Sequence, residues 1–276
     1  MSLAAVCCLL PGRLIAQQTV GEFVGQNRFD NQLQMTLHWV GGAFRMGSPE
    51  SEAGRFHDED AVDVTVSAFW IGAFEVSQAQ YEALMGTNPS KRTGPSLPVV
   101  DVNWRAATRF CEQLSEKETE AGRLAAGWEY RLPTEAQWEC ACRAGTTTRF
   151  SFGDDETLAE DYVWHLRNSG GRSQGIGVKK PNAWGIYDMH GNVAEWCRDT
   201  YEHDLPGGTD PEIRKRGSSK VYRGGSTDGN LKDCRSASRN SHSDAQSSAS
   251  IGFRVVLTRP AGAPKRSTEP VDLFGE

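Results

Sequence analysis

The sequence predicts an α+β domain that is rich in loops and has few regular elements, and three observations support this fold class. The 276 residues include 29 glycines and eight tryptophans, which indicates many turns around a core of large aromatic side chains. Start signals are clear for only three helices. Strand-like patterns are confined to short stretches.

The three predicted helices each begin at a recognisable capping residue. The first starts with a capping box at Ser77 and ends at Gly86, and the third starts with a capping box at Thr134. Asn103 caps the second. The apolar residues of the second helix fall at i, i+3, i+4 and i+7, which is typical of a helix lying on a core. These residues are Ala107, Phe110, Cys111 and Leu114.

Two strands are predicted from apolar patterns. Residues 62–66 alternate between apolar and polar side chains, and residues 251–257 form an apolar terminal run. Residues 145–225 are mostly of the types found in turns. A segment that long inside a compact domain normally needs metal ions or disulfides to order it.

The chain divides into a leader with a linker at 1–34, one domain at 35–259 and a flexible tail at 260–276. Residues 3–10 are apolar and resemble a secretory signal with cleavage after Ala16, although no Lys or Arg precedes them. The expected location is secreted or periplasmic, or cytoplasmic if this segment is not a signal. The net charge of −6 argues against nucleic-acid binding, and no run approaches a membrane span.

Five cysteines remain if a signal containing Cys7 and Cys8 is removed, and an odd number leaves at least one thiol free or paired between chains. They are Cys111, Cys140, Cys142, Cys197 and Cys234. Their spacing is poor for zinc, which favours buried or disulfide-forming cysteines. Pairing among Cys142, Cys197 and Cys234 is one option, and Cys111 has no evident partner.

Seven motifs occur in order along residues 37–258. They are GGAFRMGS (41–48), AFWIGAFEVSQAQY (68–81), LPVVDVNW (97–104), YRLPTEAQWECACRAG (130–145), PNAWGIYDMHGNVAEWCRD (181–199), RGGS (223–226) and IGFRVV (251–256). Together they resemble the formylglycine-generating-enzyme (sulfatase-modifying-factor) family. The resemblance implies a loop-rich variant of the C-type-lectin fold, in agreement with the predicted α+β class.

The resemblance also implies an oxidase site, which this chain does not complete. Family enzymes that convert a substrate cysteine to formylglycine carry cysteines three and eight residues after the serine of a Gly-Gly-Ser motif. Those two thiolates hold Cu(I), which activates oxygen. Here the serine is Ser226, the third position is Gly229 and the eighth is Cys234. Ala194 stands where these enzymes carry a tryptophan. We therefore expect neither bound copper nor oxidase activity.

Cys234 has two interpretations. By counting, it matches the second copper thiolate, and with Ser226 it would form the catalytic residues of a degenerate oxidase. Residues 234–239, CRSASR, also align through their two arginines with the stretch beyond the family's cysteine pair. That alignment makes Cys234 a structural cysteine, which is the interpretation we favour.

A calcium site is predicted in the turn-rich segment, because calcium takes carboxylate and backbone carbonyl oxygens and the resemblance implies a structural calcium here. The expected ligands are Asp188, the carbonyls of Gly191 and Val193, and Glu195. The alternative is a pair of carboxylates that form salt bridges with Arg223 or Arg254.

Residues 227–250 are almost entirely small and polar, which suits a binding surface on a rigid frame. The candidate ligand-binding residues are Thr227, Asp228, Asn230, Asn240, Ser241 and His242. A plain solvated loop is the alternative. Three functions follow: a non-oxidase module that binds a protein, peptide or glycan, a formylglycine-generating oxidase with a degenerate copper site, and a structural or envelope-assembly protein.

Overall fold

Two β-sheets and three main helices form residues 28–259, the part of the chain that the computed structural model describes. The predicted signal and the predicted tail at 260–276 lie outside the described residues. Across residues 28–259, no helix has the length and apolar character needed to cross a membrane.

The first sheet has the strand order β1-β2-β3-β10-β4, with β6 parallel to β3. Its strands are β1 (Arg28–Asp30), β2 (Thr36–Met46), β3 (Val62–Gly72), β4 (Glu129–Arg131), β6 (Gly208–Thr209) and β10 (Val256–Thr258). β3 contains the predicted strand at 62–66, and β1 lies inside the predicted leader. The sequence does not predict β2, because an irregularity between Val40 and Gly42 interrupts its alternation.

The second sheet has the order β8-β7-β5-β9. Its strands are β5 (Ala194–Thr200), β7 (Ser219–Arg223), β8 (Arg239–Ser243) and β9 (Ile251–Gly252). β5 and β7 lie within the segment that the sequence predicts as turns, and β8 lies within the polar stretch for which a plain loop is the alternative. The sequence does not predict these strands because they carry many polar and charged residues, several of which are buried in ion pairs.

The predicted single strand at 251–257 is wrong. β9 pairs with β5 in the second sheet, whereas β10 pairs with β3 and β4 in the first. Phe253 and Arg254 between them are fully buried. Where the chain passes from one sheet to the other, the guanidinium of Arg254 pairs with Glu195 on β5 at 2.6 Å and donates to the Gly72 carbonyl of β3 at 2.9 Å.

The three predicted helices are confirmed as α1 (Gln78–Met85), α2 (Trp104–Glu120) and α3 (Glu135–Arg143). Ser77 and Thr134 form complete capping boxes, and the side chain of Asn103 accepts a hydrogen bond from the Ala106 amide. The apolar stripe of α2 is buried as predicted. Two single-turn helices follow, α4 (Ala159–Tyr162) and α5 (Leu166–Ser169).

Buried ion pairs hold the second sheet against α3, whereas the sequence predicts that metal ions or disulfides order the turn-rich segment. Every residue of α3 is buried. Its Glu135 and Glu139 bind Arg223 of β7 at 2.7 and 2.5 Å, and Glu135 also binds Arg239 of β8 at 2.6 Å. The five cysteines within residues 28–259 are buried and free. Removing one partner of such a pair costs about 3–5 kcal/mol, so this network fixes β7 and β8 in place.

Candidate functional site

A cleft of about 380 Å³ opens beside the second sheet. β7 contributes Tyr222, β8 contributes Asn240 and His242, and the turn after β7 contributes Ser226 and Asp228. Neighbouring turns and strand ends complete the lining with Phe56, Ala194, Gly225, Gly229, Asp233, Ser248, Ser250 and Ile251. The cleft therefore joins parts of the chain that are far apart in sequence.

Strand geometry decides which residues of β8 face the cleft. Asn240 and His242 are two residues apart, so their side chains lie on the same face of the strand. Ser241 lies between them and points to the opposite face. Tyr222 of β7 is the direct cross-strand partner of Asn240, and directly opposed residues share a face.

Trp196 of β5 supports these side chains. Its ring is fully buried and stacks on His242 with centroids 6.3 Å apart and planes 12° apart. It meets Tyr222 edge-on at 6.0 Å. The indole Nε1 donates a hydrogen bond to the Val102 carbonyl at 3.0 Å, which fixes the ring. Packing of this kind gives the cleft a rigid aromatic support.

The structure brings together three of the candidate ligand-binding residues, Asp228, Asn240 and His242, and with them Ser226, the candidate catalytic serine of an oxidase. It does not place Thr227, Asn230 or Ser241 in the lining. Thr227 is buried, and its amide donates to the Asn192 carbonyl at 3.0 Å. Asn230 is exposed and lies outside the lining, and its backbone N–H donates a hydrogen bond to the Asp233 carboxylate at 2.9 Å.

The cleft wall is polar and carries negative charge. Asp228 and Asp233 contribute carboxylates, and no Lys or Arg is among the residues that line the cleft. The Ser226 hydroxyl donates a hydrogen bond to Asp228. The two carboxylates accept hydrogen bonds, so this part of the wall complements ligand groups that donate them or that carry positive charge.

No thiol lines the cleft. Gly229 and Ala194, which the family resemblance places at the first copper cysteine and at the tryptophan, both line the cleft. Cys234 is fully buried, and its Sγ contacts the Asn230 carbonyl at 3.7 Å. Burial raises the pKa of the Cys234 thiol. The side chain is therefore a neutral thiol packed inside the protein.

Several lining residues carry no signal in the sequence. Phe56 lies in a loop before β3, far from the polar stretch 227–250 in which the sequence indicates a binding surface. Tyr222 has one recognisable feature, because it alternates with the buried Val221 and Arg223 on β7. Only the three-dimensional arrangement of the turns shows that these residues share a cleft.

In the predicted calcium segment, Glu195 forms a salt bridge with Arg254, which is the alternative to a calcium ligand at this position. The guanidinium of Arg254 binds its two oxygens at 2.6 and 2.7 Å, and Trp138 Nε1 donates to Oε2 at 2.8 Å. Arg223 pairs elsewhere. Asp188 is buried with a positive φ of 57°, and it accepts the Gly177 amide at 2.6 Å.

Negative charge is nevertheless in excess around this segment. Burial raises the pKa of Glu75 well above its usual range, and the charges of Asp188 and Glu195 raise it further. One oxygen of Glu75 is buried without a hydrogen-bond partner among residues 28–259. Three carboxylates therefore face the single guanidinium of Arg254. The charges fit a cation, but Glu195 is committed to Arg254, and calcium stays a prediction.

The backbone of this segment requires glycine at position 191. Its φ is 97°, and a Cβ there would lie 2.1 Å from the Trp164 carbonyl oxygen. The Gly191 amide donates to the Gly224 carbonyl at 2.7 Å. The segment that carries Asp188 is thus tied to the turn after β7, which forms one wall of the cleft.

A loop-rich α+β fold with a polar cleft beside its second sheet defines a domain of the formylglycine-generating-enzyme type. The chain matches the family described as the sulfatase-modifying factor enzyme 1-like domain over residues 22–259, and it belongs to that family. A formylglycine-generating enzyme of Streptomyces coelicolor is 32% identical over 218 residues, or 72% of this chain and 64% of that protein. The chain thus spans just under two thirds of that enzyme.

Three other proteins that are similar to this chain have names other than formylglycine-generating enzyme. Chaperone protein LppX of Paenibacillus barcinonensis is 30% identical over 205 residues, which covers 59% of this chain and 70% of that protein. Among solved structures, Treponema denticola variable protein 1 has a TM-score of 0.73 at 29% identity and covers 82% of this chain and 95% of its own. PvdO from Pseudomonas aeruginosa has a TM-score of 0.74 at 27% identity, with 83% and 97% covered.

Proposed function

We propose that this family member is a binding module rather than an oxidase, and that it binds a protein, peptide or glycan through the cleft beside β7 and β8. The observation that carries the proposal is the lining of the cleft: it contains Gly229 and Ala194, while Cys234 is buried beneath it. Two soft thiolates at one point are what Cu(I) requires. The lining provides none.

The chemistry of the lining supports a binding role. Asn240, His242 and Tyr222 present an amide, an imidazole and a phenol on one face, and the two carboxylates lie nearby. The buried ion pairs of α3 and the ring of Trp196 hold that face rigid, which lowers the entropic cost of binding. A relative named as a chaperone protein and a structural neighbour named as a variable protein also support binding of another molecule.

The proposal is tested by measuring Cu(I) binding and oxygen-dependent conversion of a Cys-x-Pro-x-Arg peptide to its aldehyde. We expect neither. Stoichiometric copper binding with aldehyde formation, both lost in Cys234→Ser, would contradict the proposal. That outcome would establish the second candidate, an oxidase with a degenerate site, which is favoured by the presence of Ser226 in the cleft and by the spacing of Cys234.

The binding role is tested with arrays of peptides and glycans, followed by titration of any ligand found. Asn240→Ala and His242→Ala are expected to weaken binding at least tenfold, because both side chains face the cleft. Ser241→Ala is the matched control, since it lies between them on β8 and faces away. Equal losses in all three variants would show that the effect is on folding and not on the cleft.

A further inference from the structure

Two histidines from distant parts of the chain meet at the protein surface. His57 lies in the loop between β2 and β3, and His203 lies just after β5. Their ring centroids are 5.1 Å apart. His57 is exposed, and the side chain of His203 is 55% exposed. An ion in solution can therefore reach both rings. Neither residue lines the cleft beside β7 and β8.

The spacing of the two rings is that of two ligands on one metal ion. Tetrahedral zinc, with Zn–N bonds of about 2.0–2.1 Å, places the centroids of two coordinated imidazoles about 5 Å apart. The ring planes are 40° apart, whereas rings that only pack together prefer an offset-stacked or an edge-to-face arrangement. Imidazole nitrogen is a preferred ligand of zinc and nickel ions. The arrangement therefore fits metal binding better than it fits stacking.

A carboxylate already orients one of the two rings. Asp204 Oδ1 lies 2.8 Å from His203 Nδ1. A carboxylate at this position favours the tautomer that carries its proton on Nδ1, and the lone pair of Nε2 then stays available to a metal ion. Histidines that bind metals almost always donate their other ring N–H to such a partner. Asp204 therefore prepares His203 to bind through Nε2.

One buried arginine holds the backbone at both histidines. Arg239 Nη1 donates to the Asp58 carbonyl at 2.8 Å and to the His203 carbonyl at 2.9 Å. Asp58 directly follows His57 in the sequence. Arg239 is itself paired with Glu135 of α3 at 2.6 Å. Because the same nitrogen binds both segments, the buried ion-pair network sets their separation. Ligands that are held in place before binding lose less entropy when they bind.

We propose that His57 and His203 together bind one divalent transition-metal ion, such as zinc, and that water completes its coordination. No set of three or more His, Cys, Asp or Glu side chains within residues 28–259 is arranged to hold a metal ion. The site therefore has two protein ligands and binds more weakly than a structural zinc site with four. The bound ion joins the loop before β3 to the segment after β5, and it stabilises the folded state by mass action. The site is independent of the function proposed for the cleft and of the predicted calcium site.

Zinc chloride is titrated by calorimetry into the full chain, with Cys7→Ser and Cys8→Ser present in every protein so that no thiol outside residues 28–259 binds the ion. Zinc is expected to bind at least tenfold more tightly than magnesium, which prefers oxygen ligands. His57→Ala and His203→Ala should each weaken zinc binding at least tenfold, and both should lose the same single ion. Asp204→Ala should weaken it at least threefold, because His203 loses its orienting partner.

His38→Ala is the control, because His38 lies near the start of β2 whereas the loop that carries His57 follows the end of that strand. Its zinc affinity should stay within twofold of the protein that retains all its histidines. Without zinc, His57→Ala and His203→Ala should melt close to that protein, since both side chains are exposed, but zinc should raise the melting temperature of neither. Absence of zinc binding when all histidines are present would overturn the proposal. So would equal affinities for zinc and magnesium, unchanged zinc affinity in His57→Ala or His203→Ala, separate ions lost in these two variants, or an equal loss in His38→Ala.

Discussion

The Sγ atom of Cys234 lies directly beneath Gly225, 2.7 Å from the point that a Cβ would occupy there. The same Cβ would lie 2.8 Å from the Asp233 carbonyl, and Gly225 has a positive φ of 69°. Backbone therefore forms the cleft wall above the thiol. This relationship separates the Cys234 thiol from the cleft beside β7 and β8.

Replacing Gly225 should test how closely that wall is packed. Gly225→Ala is expected to lower the free energy of unfolding by about 1–3 kcal/mol, because an L residue is strained at this φ and its methyl group meets backbone. Gly229→Ala is the matched control, since a Cβ there meets nothing closer than 3.5 Å. Urea unfolding measures both variants, and equal stabilities would contradict the described packing.

The chemical reactivity of Cys234 provides an independent check. Only the thiolate is a nucleophile, and burial both raises the pKa of this thiol and excludes the reagent. The native protein treated with iodoacetamide should therefore leave Cys234 unmodified when its tryptic peptides are examined by mass spectrometry. The same treatment in guanidinium chloride should alkylate it fully. Modification of native Cys234 as fast as that of an unfolded chain would show that the thiol reaches solvent.

Acid should destabilise the protein partly through Glu135. Burial alone would raise the pKa of Glu135, but Arg239 and Arg223 outweigh burial and hold its pKa below the ordinary value of 4.5. A depressed pKa means that the stabilisation is complete above the unfolded-state pKa and is lost as the pH falls below it. The wild type should therefore lose more stability between about pH 6 and about pH 3 than Glu135→Gln does.

At neutral pH, Glu135→Gln should cost about 3–5 kcal/mol, because it leaves Arg223 and Arg239 with one buried carboxylate fewer. Glu156→Gln is the control: Glu156 pairs with Arg149 at the surface, where such a loss stays below about 1 kcal/mol. Denaturant unfolding at both pH values measures these differences. A similar pH dependence in the wild type and Glu135→Gln would show that Glu135 does not contribute to the acid destabilisation.

Local sequence signals are sufficient to predict the helices but not the cleft. Capping boxes at Ser77 and Thr134 lie within one turn of the helices they start, so a short window contains them. β5 and β7 could not be predicted, because their buried Glu195 and Arg223 resemble surface residues until their partners are known. Phe56 comes to line the cleft beside β7 and β8 only in the folded chain, because it is far from those strands in sequence. The glycine at position 229, where the family resemblance implies the first copper cysteine, is found in contrast by counting three residues on from Ser226.

The charges around Asp188 and Glu195 favour the predicted calcium site, whereas the contacts of Glu195 do not. The excess of buried carboxylate around Glu75 favours a divalent ion, although Arg254 already binds both oxygens of Glu195. A ligand that binds only the folded state must stabilise it, by about 2.7 kcal/mol at a hundred times its dissociation constant. Calcium at millimolar concentration should thus raise the melting temperature by about 5 °C or more over EGTA.

The matched variant is Asp188→Asn, because asparagine tolerates the left-handed backbone at this position while it removes one charged ligand. It should abolish most of the calcium-dependent shift. Asp161→Asn should preserve the shift, since Asp161 is exposed and pairs with Lys180. If calcium and EGTA give the same melting temperature for the wild type, the excess charge is neutralised by a proton on Glu75 instead, and the segment is ordered by Arg254 without a metal ion.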